Sequence, residues 1–388
     1  MEQSTKFRCI VTACEQQWLY QIGEQGIVYS QKQNRIAGLD VAGLLAYRAF
    51  NAGASLQDLQ ALGATRHASP MTADALNTIF ALSKGHFPEA QEAEERRDWP
   101  SLLSPPDANV EVHGIPMLVE FSHGAEALCR DCFRSCPPAT RPARFHLRLQ
   151  RSTTSWTITA NDQEIFPSIK DEQVGLGLLH AVRSLLYDEA RYDVAFHSSM
   201  VGNREHGIML CAPRESGKST LAAHLAAHGF ALGSDEPALL HLDTASISQV
   251  ETPISLKEGT WKILRDEWPQ LADAPIHVRS DGHRIKLLHP SRDRGTDAPQ
   301  RLTRIVFPKY SPSSPPSLEA LSPIQALALL NEGGTLFGKH FNKDKFEQYM
   351  KLICAIPAFV AQYSSLHEAD QMIQKILVCD HQSRIEDH

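Results

Sequence analysis

The sequence predicts an α/β protein with a mixed sheet, preceded by a small N-terminal α+β module. Three observations carry this. Between 206 and 242 an apolar strand pattern, HGIMLCA, runs through a glycine-containing loop, PRESGKS, into a helix, TLAAHLAAHG, and a second strand, FALGSDEPALLHL. That order is the signature of a βαβ unit, in which a crossover helix joins parallel strands. Upstream, the polar and acid-rich stretch at 91–108, ending in Ser and Pro, has the composition of a surface connector. It separates a module at 1–90 from a domain at 109–388.

The elements follow in order. WLYQIGEQGIVYS at 18–30 alternates apolar and polar residues as a strand pair does. LDVAGLLAYRAFNAGASLQDLQAL at 39–62 reads as a helix stopped near Asn51 and a second one begun at Ser55. After the connector, VEVHGIPMLVEF, RFHLRLQ and SWTITA carry period-2 alternation, and DEQVGLGLLHAVRSLLYDEA places its apolar residues at helical spacing. The βαβ unit comes next, then the strand RIVFPKY at 304–310 and a Pro/Ser-rich loop at 311–317. Two amphipathic helices, SPIQALALLNEG and DKFEQYMKLICAI, occupy the last part of the chain.

The composition narrows the function classes. With 42% hydrophobic and 21% charged residues over 388, the chain is that of an ordinary globular protein with two or three domains. The 38 Lys+Arg against 45 Asp+Glu give a formal charge of −7, which works against non-specific binding to nucleic acid or anionic lipid. The first residues lack the basic segment and apolar run of a secretory signal, and no long uncharged apolar stretch follows, so a cytoplasmic location without membrane contact is expected. The scattered cysteines suit reduced thiols. Assembly into a homo-oligomer stays open.

The chemistry concentrates at Ala212, Pro213, Arg214, Glu215, Ser216, Gly217, Lys218, Ser219 and Thr220. A phosphate-binding loop needs successive amides facing one concavity, a helix N-terminus behind them, a lysine for the terminal phosphates and a hydroxyl for magnesium. Gly217, Lys218 and Ser219 fill three of those roles, while Ala212 stands where the strict pattern has its first glycine. Asp235 and Glu236 close the following strand, 17 residues after Lys218, where a βαβ unit returns the chain beside the loop. Carboxylates there serve as proton acceptor and metal ligand.

The run from Ala195 through His197 to GIMLCAPRESGKSTLAAHLAAHGFALGSDE resembles the HPr serine kinase/phosphorylase superfamily, closer to its HPr-kinase-related branch than to the sugar-transport regulator. Thr252 to Gly259 and Val278 to Arg284 are similar to that branch's downstream segments. The resemblance implies a phosphate-loop core of the HPr-kinase/PEP-carboxykinase type, with ATP and Mg²⁺ as cofactors. It implies that Lys218 binds the β/γ-phosphates, that Ser219, Asp235 and Glu236 serve the metal, and that Asp235 takes the proton from an acceptor hydroxyl. His197 would polarise the acid or contact phosphate, and Lys257 and Arg284 would add catalytic cations. Glu215 departs from the family's glycine and sets a negative charge inside the cradle.

Residues 36–62 resemble the helical part of PqqD-type peptide-binding domains, which implies a winged-helix-like scaffold with a peptide or carrier-protein client; an unrelated helix pair is the competing reading. Cys129, Cys132 and Cys136, with His123, have spacing compatible with zinc or an iron–sulfur cluster, although three thiols read more simply as reduced cysteines. Basic residues thicken from Arg279 to Lys309 and read chiefly as a solvated face. His224 and His228, four apart on the helix after the loop, read as surface or core residues rather than ligands. The expected activity is phosphoryl transfer to a Ser/Thr hydroxyl of a peptide or protein, or to a small hydroxylated metabolite. The alternatives are a nucleotide-binding adaptor that has lost catalysis and an ATP hydrolase, the latter without a clear second acidic strand.

Overall fold

The computed structural model describes residues 7–12, 14–63, 72–87, 108–121, 125–203, 205–213, 216–250, 252–289 and 300–385. Arg214, Glu215, His123 and nearly all of the 91–108 connector lie outside them. The protein is mixed α/β and divides into two compact units.

The first unit holds residues 1–93 together with 321–332 and 339–357. Its four strands, β1 (Phe7–Val11), β2 (Gln17–Ile22), β3 (Gln25–Ser30) and β4 (Arg35–Leu39), form an antiparallel meander. The β2–β3 turn passes through Gly23 at φ +59°. Helices α1 (Val41–Asn51), α2 (Leu56–Gly63) and α3 (Ala73–Ser83) follow. The expected restart at Ser55 is a reciprocal cap: Ser55 N–H donates to Asp58 Oδ2 at 2.7 Å and Asp58 N–H donates to Ser55 Oγ at 3.2 Å. A late helix, Lys343–Ala355, falls in this unit and not with its sequence neighbours, because Phe346 lies flat on Tyr29 with ring centroids 4.4 Å apart.

The second unit begins with β5 (Ala108–Val112), β6 (Ile115–Phe121), α4 (Glu126–Cys132), β7 (Phe145–Arg151), β8 (Trp156–Ala160), β9 (Gln163–Ile169) and α5 (Val174–Glu189). The strands form one five-stranded sheet in chain order, with β6 and β7 parallel across α4. Leu178, Ala181, Val182 and Leu186 of α5 bury against Trp156, Ile158 and Leu147. Next come β10 (Val194–Phe196), β11 (Ser198–Gly202), β12 (Gly207–Cys211), α6 (Lys218–Ala227), β13 (Ala231–Asp235), β14 (Ala238–His241), β15 (Ser246–Ser248) and β16 (Ile254–Lys257). They precede α7 (Glu258–Trp261), β17 (Ile276–Val278), β18 (Arg284–Leu288) and β19 (Gln300–Tyr310).

The main sheet runs β13-β11-β12-β19 and onward through β15, β14 and β10. Strands β12 and β13 both pair antiparallel with β11, so they are parallel to one another with β11 between them. On its far side β12 pairs parallel with β19. The expected βαβ unit is thus present with one antiparallel strand inserted, and the sheet is mixed. Helix α6 carries no polar stripe because both of its sides are covered. Leu221, Ala222 and Leu225 pack on the main sheet with Ile208, Leu210 and Val306. Ala223 and Ala226 pack against Ile254, Leu256, Leu264 and Trp268, which belong to the small sheet β16-β18-β17 and the segment following α7.

No described helix is long and apolar enough to cross a membrane. Leu225 is fully buried at the centre of this arrangement. Its truncation to alanine removes buried methyl groups and leaves a cavity, so Leu225→Ala is expected to cost about 2–5 kcal/mol. Chemical denaturation of wild type and variant measures it.

Candidate functional site

The register of three strands assembles the site. Ser198 faces Cys211 across β11–β12, and Ser199 faces Asp235 across β11–β13. The end of the loop-bearing strand, the start of β11 and the end of the acidic strand therefore lie in one row at one edge of the sheet. Immediately outside that row come Ala212, His197 and Glu236.

Gly217 ends the loop at φ +93° as the residue capping α6. A Cβ there would suffer both the left-handed backbone and an approach of 3.1 Å to Tyr363 Oη, so glycine is required. Lys218, the first helical residue, is buried and folds back, donating from Nζ to the carbonyls of Ala212 at 2.7 Å and Pro213 at 3.4 Å. Ser219 Oγ donates to Asp235 Oδ1 at 3.2 Å, which joins the loop to the acidic strand. The Ser216 hydroxyl is buried with no hydrogen-bond partner among the described residues.

Asp235 is 1% exposed and surrounded by donors. Ser199 Oγ donates to Oδ1 at 2.5 Å and the Ser255 amide donates to Oδ2 at 3.2 Å. Burial, with the neighbouring Glu236 charge, pushes this carboxyl above the usual carboxylate range, against the hydrogen bond from Ser199. Glu236 behaves oppositely. Its backbone sits at φ +58°, a strained conformation for a non-glycine residue, and its side chain meets His197 and Arg183. His197 Nε2 donates to Oε1 at 2.9 Å and Arg183 contacts Oε2 at 3.5 Å. Burial works to raise the Glu236 carboxyl, but the His197 hydrogen bond and the charges of Arg183, His197 and Lys218 outweigh it and hold the group well below its ordinary range. Two adjacent carboxyls are thereby driven in opposite directions.

The residues brought together are His197, Ala212, Pro213, Gly217, Lys218, Ser219, Asp235 and Glu236. Thr220 follows as the next residue of α6, and Arg214 and Glu215 lie outside the described residues. Lys257 and Arg284 stand in the small sheet, where Lys257 pairs in register with Ile285, and Arg284 is half-exposed and ion-paired with Glu258 at 2.6 Å. The strand that carries Lys257 meets Asp235 through the Ser255 amide. Of the other described basic residues of the 279–309 stretch, Arg279 pairs with Asp281, Lys286 caps the carbonyls of Leu271 and Ala272, and Arg304 is buried on the Thr303 carbonyl.

The sequence reading missed Arg183, Ser199 and Ser255. The one available signal was a charged residue inside the apolar pattern of α5; the serines are set by cross-strand register, which no local spacing reports. The cysteine cluster is part of the core. Cys129 and Cys132 are buried, and Cys132 Sγ donates to the carbonyls of Leu128 and Gly175. Burial pushes the Cys132 thiol up. Between them Asp131 is buried, with His277 Nε2 3.1 Å from Oδ2 and His289 Nε2 3.5 Å from Oδ1, contacts that link α4 to β17 and to the residue after β18.

A depressed carboxyl contributes stability that is complete above its unfolded value, about 4.5 for Glu236, and is lost as pH falls through the depressed native value. Glu236→Gln should therefore destabilise the protein at neutral pH and approach wild type in acid. Denaturation midpoints of both proteins over that range test it; a difference independent of pH would remove the charge pairing as its cause.

No known protein-family model matches the chain, and no curated protein matches it in sequence.

Proposed function

We propose that the second unit is a phosphate-loop kinase-like core and that the protein is an ATP- and Mg²⁺-dependent phosphotransferase acting on a hydroxyl group. The acceptor is a Ser/Thr side chain of a peptide or protein, or a small hydroxylated metabolite; in the former case the first unit, with its resemblance to peptide-binding domains, is the element that holds the client. The observation that carries this reading is the hydrogen bond between Ser219 of the loop and Asp235 across the inserted strand, with Lys218 folded onto the loop carbonyls beside them.

The donor set fits a nucleotide and its metal. Ser216 Oγ and Arg183 Nε are both buried without hydrogen-bond partners among the described residues, which is costly unless an acceptor such as a phosphate oxygen meets them. Bound Mg–ATP supplies the electrophilic phosphoryl group and neutralises charge as it transfers. The N-terminus of α6 would hold phosphate oxygens, and Lys218, now on the carbonyls of Ala212 and Pro213, would supply the cation facing them. Ser219 and the two carboxylates are the candidate metal-side groups. Asp235, its carboxyl raised by burial, is suited to take the proton of the acceptor hydroxyl. His197 and Arg183 fix the orientation of Glu236, which stays ionised.

One observation favours the adaptor reading: Asp235 is nearly inaccessible, with both oxygens already engaged. Such a site binds nucleotide without transferring phosphate. Intact-mass analysis of acceptors incubated with protein, ATP and Mg²⁺ separates the two, transfer appearing as a gain of about 80 Da, one phosphoryl group.

Lys218→Ala removes the cation at the start of α6 and is expected to weaken nucleotide binding or abolish transfer, read by calorimetry and phosphate incorporation; unchanged affinity and turnover would sink the phosphate-loop assignment. Asp235→Asn keeps the side-chain volume but loses the proton acceptor, so transfer should fall about 10²-fold or more while nucleotide affinity changes far less. Retained transfer in that variant would move the role of base to Glu236 or His197.

A further inference from the structure

We propose that His224, His228 and Glu267 form a binding site for a divalent transition-metal ion, zinc or a congener, where α6 meets the segment after α7. The two histidines are four residues apart and project from one face of the helix. Their rings are 4.2 Å apart between centroids. Glu267 reaches them from the segment after α7. One nitrogen of each ring and one carboxylate oxygen lie within 4.8 Å of one another. Donor atoms on a single tetrahedral zinc are separated by about 3.3 Å, given Zn–N and Zn–O bonds of about 2.0–2.1 Å, so small side-chain rotations close the set around an ion.

Three features set this cluster apart from an ordinary helix-to-loop hydrogen bond. First, His228 Nδ1 lies 2.8 Å from the carbonyl of His224. A carbonyl only accepts, so Nδ1 carries the proton and Nε2 of the neutral ring presents its lone pair, as in metal sites where a backbone carbonyl orients the ligating imidazole. Second, His224 is buried and its Nδ1 stands 2.8 Å from Glu267 Oε1, yet the other carboxylate oxygen of Glu267, Oε2, is buried without a partner among the described residues. An unmatched carboxylate oxygen out of water is costly, and a cation removes that cost. Third, the frame is held independently of any ion. Trp268 Nε1 donates to the Ala223 carbonyl at 3.0 Å, and Leu264, Trp268 and Leu271 are packed on Ala223 and Ala226.

Two imidazoles and one carboxylate favour zinc, cobalt, nickel or copper over magnesium or calcium. Three protein ligands leave a coordination position for water. The ion would clamp the segment bearing Glu267 onto the helix that begins with Lys218. This role is independent of whether the loop binds nucleotide.

The test uses the full chain, stripped with chelator and titrated with Zn²⁺ or Co²⁺. We expect one ion per chain, a rise in thermal midpoint with Zn²⁺, and a visible Co²⁺ absorption without the near-ultraviolet thiolate charge-transfer band that the cysteines would produce. His228→Ala, at an exposed position, should abolish binding and the thermal shift while leaving the circular dichroism spectrum unchanged. Glu267→Gln should weaken affinity by about tenfold or more. Absence of saturable binding at micromolar metal, binding indifferent to both substitutions, or a thiolate band in place of the visible absorption would each overturn the proposal.

Discussion

The insertion of β11 between β12 and β13 is the constraint on which the candidate site depends. A direct parallel pairing of the loop strand with the acidic strand would leave no backbone between Lys218 and Asp235. With β11 in place, Ser199 sits opposite Asp235 and donates to it, and His197, just before the strand, faces Glu236. Ladder register is strongly specified here because every residue of β11 and β12 is buried, so a slip would exchange polar and apolar neighbours throughout.

The same register explains how two consecutive acids acquire opposite character. Successive side chains on a strand point to opposite faces, and Glu236 also leaves the extended conformation, so the two carboxyls meet different surroundings. Asp235 turns into the packed interior, where neutral donors stabilise it less than burial disfavours its charge. Glu236 turns toward Arg183 and His197, where charge is matched. These contacts help to offset the strained backbone at Glu236.

Helix α6 links the two halves of this account. It begins with the loop lysine, it is enclosed by the main sheet on one side and by the small sheet on the other, and its histidines meet Glu267. A helix packed on two sides has little freedom to shift, so Lys218 and Ser219 in its first turn are held beside the strand row.

The sequence by itself determined the local pieces: the strand–loop–helix–strand order, the glycine at a left-handed position, the lysine and serine after it, and the acidic pair closing the next strand. These are legible because backbone conformation, capping and apolar periodicity depend on near neighbours. What only the tertiary structure decided is which distant residues meet them. The amide of Ser255 and the guanidinium of Arg183 reach the acids. The helix at 343–355 joins the N-terminal unit through Phe346, and Glu267 completes a pair of histidines that looked unremarkable on the helix alone. The physical reason is that strand pairing and aromatic packing bring together residues far apart in the chain, and no local pattern of polarity encodes which partner across a sheet or a core a side chain will find.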